Sequence, residues 1–160
     1  MRALIVYAHI LALVVWLGGM IFFSFIAAPS IFSALGRDAA GTVVGAIFPK
    51  YFMVGYASSL ALLGTLWAMW RTNLGAVRGP LLILAACAAL SIVSGAVVGA
   101  KARDVKTRMY AAAAGPEKEK LRADFHKIHL VSTVLNLVVL LLLAVYVRYL
   151  PLVVGPPVIP

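Results

Sequence analysis

The chain alternates long uncharged runs with short charged connections. All 14 lysines and arginines and all five aspartates and glutamates fall outside four runs: Ala3–Ala28, Tyr51–Trp70, Gly79–Ala100 and Ile128–Val147. A charge at the centre of a bilayer costs about 3 kcal/mol on insertion scales. About 20 uncharged residues wound as a helix cross about 30 Å of hydrocarbon. The pattern predicts an all-α integral membrane protein, a four-transmembrane-helix antiparallel bundle that forms one membrane domain over residues 1–160. The first run has Arg2 ahead of it and Ala27-Ala28 at its end, like a secretory signal peptide. It is longer than an h-region of about 7–15 residues and is read as a retained first span.

The connections predict helices that outrun the membrane. Ala111–Ala114 favours helix, Gly115 suits a C′ position, and Pro116 suits the first turn of the next helix, with Glu117 and Glu119 at its positive dipole end. Two matched helices follow, Pro80–Ala114 and Pro116–Leu150, each about 52 Å long, so about 20 Å of hairpin stands clear of the hydrocarbon. The spacings Lys120/Asp124 and Asp124/Lys127 fit a solvated helix face. The first half has a similar plan, Ala3–Leu35 and Asp38–Trp70, turning at Gly36-Arg37-Asp38 with Asp38 as N-cap. Pro29 and Pro49 are expected to kink or interrupt these helices. Gly41-x-x-x-Gly45 allows close backbone approach. The tail, Pro151–Pro160, holds four prolines and is expected to be non-helical, lying along the outer surface.

Charge then sets an orientation. The loops Pro29–Lys50 and Lys101–Lys127 carry ten basic residues, whereas the N-terminus, the loop Arg71–Arg78 and the C-terminus carry Arg2, Arg71, Arg78 and Arg148. The positive-inside rule places the two basic loops in the cytoplasm and both termini outside. With the basic residues flanking spans, the net charge of +9 points to the bilayer and its anionic headgroups at the cytoplasmic face, not to nucleic acid. Cys87 is the sole cysteine; it forms no internal disulfide and reads as an apolar filler.

Polar side chains within the spans are the chemical candidates, and they gather in the cytoplasmic half. Ser58, Ser91, Ser94, His129, Ser132 and Asn136 form a candidate ligand pocket; Ser24 and Ser59 lie nearby. His129, Ser132/Thr133 and Asn136 share one helix face. The alternative is interhelical hydrogen-bonding, with Ser91-x-x-x-Gly95-x-x-x-Gly99 as a small-residue packing face. His126 and His129, with Asp124 above them, form a candidate metal site. His9 is the exception, near the outer end of span 1 on a stripe with Trp16 and Phe23. Span 4 brings Tyr146 and Arg148 to its depth, so His9, Trp16, Tyr146 and Arg148 form a candidate cofactor site for haem b or a transition metal. The competing reading is a neutral His9 hydrogen-bonded to a tyrosine or a backbone carbonyl. His9 and His126/His129 lie near opposite faces, some 25 Å apart by helix rise, and cannot share one iron.

The run from His9 through Trp16-Leu-Gly-Gly to Phe25, the Ala28-Pro29-Ser-Ile-Phe and Ala40-Gly41…Gly45-Ala-Ile-Phe-Pro49-Lys-Tyr51-Phe segments, and Phe125-His126-Lys-Ile-His129-Leu-Val-Ser132-Thr-Val-Leu-Asn136 resemble the bacterial branch of the transmembrane protein 205-like family. The resemblance covers nearly the whole chain. It implies a four-helix membrane protein, placed in a bacterial inner membrane, and brings no established reaction. The His9…Trp16-Leu-Gly-Gly opening is also similar to copper-resistance membrane domains and haem-associated small membrane proteins.

No Asp, Glu, Lys or Arg lies within the spans, which disfavours proton-coupled transport. No nucleophile–base pair, phosphate loop or paired carboxylate is present there, which argues against an enzyme. Three readings remain. The first is a non-enzymatic accessory or structural subunit of a larger membrane complex or homo-oligomer. The second is a haem- or metal-binding membrane protein. The third is a binding or transport protein for a small molecule or lipid, with a cytoplasm-facing pocket.

Overall fold

The computed structural model describes residues 1–155. Four helices are long and apolar enough to cross a membrane: α1 (Arg2–Ala34), α2 (Arg37–Trp70), α3 (Leu74–Ala111) and α4 (Pro116–Val147). A short helix, α5 (Leu150–Val154), follows. α1 packs on α2, α2 on α3, α3 on α4, and α4 back on α1. Neighbouring helices run in opposite senses. His9, early in α1, meets Thr65 and Tyr146, late in α2 and α4, whereas Ser24 meets Asn136.

The core between them is apolar, built from Leu13, Trp16 and Met20 of α1, Leu62 and Leu66 of α2, Leu84 and Cys87 of α3, and Val139, Leu143 and Tyr146 of α4. Many other large apolar side chains, among them Leu4, Phe25, Leu60, Leu82, Val97 and Leu141, are exposed. In water such a surface would drive association; lipid tails solvate it.

Several glycines in the helices are sockets for side chains, whereas Gly18, Gly19 and Gly64 face open space. A methyl on Gly95 would overlap the Tyr56 hydroxyl and sit 2.7 Å from the Phe52 ring, and one on Gly99 would lie 3.7 Å from that ring. The small stripe on α3 therefore receives aromatic rings of α2. Gly41 and Gly45 do not bring a second backbone close. The Lys106 ammonium fills that space, 3.0 Å from where a Gly45 methyl would stand.

Several local expectations change. Pro49 lies inside an unbroken α2. Pro29 is absorbed by a π-helical turn, Phe23–Ala27, directly before it. A proline ring clashes with the carbonyl four residues back, here that of Phe25, and the widened turn makes room. A second π-turn, Val93–Val98, widens α3 around Ser94 and Gly95. Gly36, not Asp38, is the N-cap of α2; Arg37 is already helical, so Asp38 falls in the first turn. There its carboxylate still faces the positive helix end. α3 stops at Ala111 and α4 starts at Pro116. Gly115, expected at a C′ position, is instead the N-cap of α4, because α3 already ends three residues before Ala114; it makes the reversal at φ 154°, in backbone territory open only to glycine.

The C-terminal tail departs from expectation more sharply, because Leu150–Val154 is helical. Pro151 sits in its first turn, where no intrahelical N–H bond is lost. Val153 is fully buried, and its carbonyl accepts a 2.9 Å bond from Trp70 Nε1. Arg2 donates to the carbonyls of Val154 and Gly155, a cation placed at a negative helix end. Residues 156–160 of the expected tail lie outside the described residues.

Past the apolar spans the four-helix contact opens. α3 and α4 stay together as a hairpin, with a small core of Val105, Met109 and Leu121 joined by Phe125 and Ile128. The α1–α2 hairpin leans away from it, bridged by Lys106 Nζ donating to the Gly41 carbonyl at 2.6 Å.

Candidate ligand-binding site

The separation of the two hairpins creates a cavity of ≈ 660 Å³, within the roughly 300–1,000 Å³ of ligand pockets. It spans the boundary between apolar spans and charged extensions. Phe48 and Phe52 of α2 line its inner part, stacked at 6.0 Å. Arg37 and Asp38 of α2, Arg103 and Lys106 of α3, and Arg122 of α4 line its charged part. His126, His129 and Ser132 complete the α4 wall, with the His129 ring stacked on Phe125 at 6.3 Å. The Lys106 side chain is half-buried, with its ammonium 5.7 Å from the Tyr110 ring centroid. Desolvation pulls its pKa below the usual lysine value, and the Asp38 charge pulls the other way.

The sequence-derived pocket is divided. His129 and Ser132 face the large cavity, as does His126. Ser91, Ser94 and Asn136 line a separate void of only ≈ 20 Å³ beside Trp16 and Gly55. That is about the space of one water. Ser58 is buried and lines neither. Asn136 is tied between helices: Tyr51 Oη donates to its Oδ1 at 2.5 Å, and its Nδ2 donates to Ser24 Oγ at 3.1 Å. Ser94 and Ser132 approach to 3.5 Å.

The metal triad is not assembled. Asp124 lies 3.9 Å from Lys127 and is not among the cavity walls that hold His126 and His129. Among the described residues no group of three or more His, Cys, Asp or Glu side chains is placed to hold a metal ion.

The cofactor quartet at the other end also separates. His9 is fully buried, with Nε2 2.8 Å from Tyr146 Oη and Nδ1 2.6 Å from Thr65 Oγ1. Thr65 donates its hydroxyl proton to the Ala61 carbonyl at 2.6 Å, so it accepts from His9 Nδ1–H. Nε2 is then the bare nitrogen that accepts from Tyr146. The chain of donors closes on a neutral imidazole with both nitrogens engaged, and a metal would have to displace one partner. Trp16 sits further in, against Gly55, and Arg148 is exposed.

The cations of the cavity are what sequence reasoning missed. Arg37, Arg103, Lys106 and Arg122 read there as a solvated basic collar. The available signal was their recurrence on both hairpins at the level where the spans become charged.

Fold and cavity together define a class: an all-helical, membrane-type domain with four span-length helices and an amphipathic cavity at one end. The chain belongs to the family described as "Domain of unknown function (DUF4149)", whose model matches residues 11–111. That stretch holds the α2 and α3 walls of the cavity; His9 and the Phe125–Asn136 segment lie outside it. Comparison with curated proteins and with solved structures gives no match.

Proposed function

We propose that the protein binds an amphipathic small molecule at the membrane surface, in the cavity between its two hairpins, and that this binding, not catalysis, is its activity. The cavity carries the reading: ≈ 660 Å³ of space with Phe48 and Phe52 toward the membrane and, further out, Arg37, Arg103, Lys106 and Arg122 interleaved with Phe32, Tyr110 and Phe125. Such a gradient of polarity suits a ligand that is half lipid and half water-soluble. The ten-to-four division of basic residues supports a cytoplasmic location for this end, with both termini outside. The likeness to the transmembrane protein 205-like family and a bacterial inner-membrane address belong to the same proposal. An accessory subunit, the role favoured by sparse chemistry alone, has no observation in its favour comparable to the cavity.

The test is equilibrium binding of a fluorescent lysophosphatidylcholine to the full chain in phosphatidylcholine nanodiscs. Ala102 lines the cavity, and Ala102→Trp should obstruct it and weaken binding about tenfold, a loss of about 1.4 kcal/mol. Equal binding by the two proteins would place the ligand elsewhere and end this reading.

A further inference from the structure

The charges around the cavity say what its occupant carries. We propose that the ligand bears an anionic head, a phosphate or carboxylate, on an apolar chain, and that Arg103 and Lys106 select it; this rests on the cavity being a binding site.

The cavity wall holds Arg37, Arg103, Lys106 and Arg122 against one carboxylate, Asp38. The other acids do not line the cavity, and Glu119 neutralises Arg122 from outside it. Asp104 lies 3.9 Å from Arg108, Glu119 3.0 Å from Arg122, and Asp124 3.9 Å from Lys127, all on exposed or half-exposed faces. Glu117 is exposed at the start of α4. Among the described residues Arg37, Arg103 and Lys106 form no ion pair. Three cations share a recess of low polarity with one counter-charge in it.

Their placement is directed. Lys106 turns inward, to a backbone carbonyl and the face of a tyrosine, neither of which neutralises it. The Arg103 guanidinium folds back over Gly99, with Nη1 3.5 Å from where a methyl on that glycine would stand. Phe52 borders the same glycine. The guanidinium fork of this exposed residue therefore lies at the edge of the aromatic floor. The fork matches the paired oxygens of a carboxylate or phosphate, and a charge-assisted bond there is about twice as strong as a neutral one. An apolar chain lying on Phe48 and Phe52 puts its head at that level.

The experiment is competition against the bound fluorescent lysophosphatidylcholine in phosphatidylcholine nanodiscs. The competitors are palmitate, palmitoyl lysophosphatidate, palmitoyl lysophosphatidylcholine and inorganic phosphate. The anionic chains should compete at about tenfold lower concentration than the zwitterionic chain, with the advantage shrinking in high salt. Inorganic phosphate should not compete. The double variant R103Q/K106Q should cut the advantage to about twofold, with its thermal unfolding in detergent, not its affinity for any chain, reporting an intact fold. Equal competition by zwitterionic and anionic chains overturns the anionic head and leaves the cavity reading standing. So does an advantage that survives R103Q/K106Q. Competition by phosphate as strong as by the chains overturns it in favour of a free-anion site. Failure of every chain to displace the probe removes the binding site itself.

Discussion

Lys106 and Gly41 belong to different hairpins, and the 2.6 Å bond from the lysine ammonium to the glycine carbonyl bridges the gap between them. Gly45 adds the room: a methyl there would crowd Nζ at 3.0 Å. Lys106→Met keeps most of the stem and removes the donor. Spin labels at Val43 and Thr107, both exposed, should then show a broader distance distribution by pulsed electron resonance. An unchanged distribution would mean that helix packing alone sets the opening.

At the opposite end, Tyr146→Phe deletes the hydroxyl that His9 Nε2 accepts from. Hydrogen bonds between membrane helices average only about 0.6 kcal/mol. His9 is fully buried, however, and its nitrogen cannot turn to water. The penalty for an unpaired buried acceptor, about 1–3 kcal/mol, therefore governs. Unfolding of purified protein in detergent should report a loss near 1–2 kcal/mol, at the low end of that range. Thr65→Val should couple to it in a double-mutant cycle. Independent effects would show that the three groups do not act as one network.

The same network bears on the redox reading drawn from His9. With both imidazole nitrogens occupied by hydroxyls, haem added to the wild type and to His9→Ala should give the same visible spectrum. A Soret change confined to the wild type would establish axial ligation by His9.

Gly95→Ala tests the sockets. The added methyl meets the Tyr56 hydroxyl and the Phe52 ring, both held by neighbours in an aromatic stack along α2. Overpacking of this kind costs about 1–3 kcal/mol. Tyr56→Phe should recover part of the loss, because it removes one of the two overlaps. Full stability of Gly95→Ala would mean that α2 and α3 can separate freely at this level.

Trp70→Phe addresses α5. It leaves the Val153 carbonyl without its indole donor, a change of about 0.5–1.5 kcal/mol. The amides of Val153 and Gly155, bonded to the Tyr149 and Pro151 carbonyls, should exchange hydrogen several-fold faster, since about 1.4 kcal/mol is a factor of ten. Unaltered exchange would assign the anchoring to Arg2 and to burial of Val153.

The four spans were legible because a charge inside hydrocarbon is so costly that nineteen such residues, 14 basic and 5 acidic, all retreat from it. The reversal at Gly115 was legible because Gly and Pro act locally. Depth alone brought Tyr146 to His9, but it also offered Arg148, which stays exposed, and it did not reveal Thr65. Depth did not foretell how polar residues on one face divide between burial and cavity: Asn136 turns to Tyr51 and Ser24, whereas His129 and Ser132 line open space. Nor could it reveal the separation of the hairpins, which depends on contacts between Lys106 and Gly41, 65 positions apart. The helical turn at Leu150–Val154 was hidden because its stability comes from Trp70 and Arg2, remote in sequence, against four prolines that argue the other way.

The two π-turns give the charged end an unusual adjustability. Each inserts an extra residue into a helix between the core-packed part of a span and its extension. Deleting one residue within Val93–Val98 would restore a regular helix with little rotation of what lies beyond, because the widened turn takes up its extra residue within one turn. Arg103 and Lys106 would stay on the cavity wall, and Leu84 and Cys87 in the core. The same deletion in the regular stretch after Gly99 would rotate everything beyond it by about 100° and swing these cations off the wall. The π-turn is thus the place along this helix where chain length can change without changing which way the cations face.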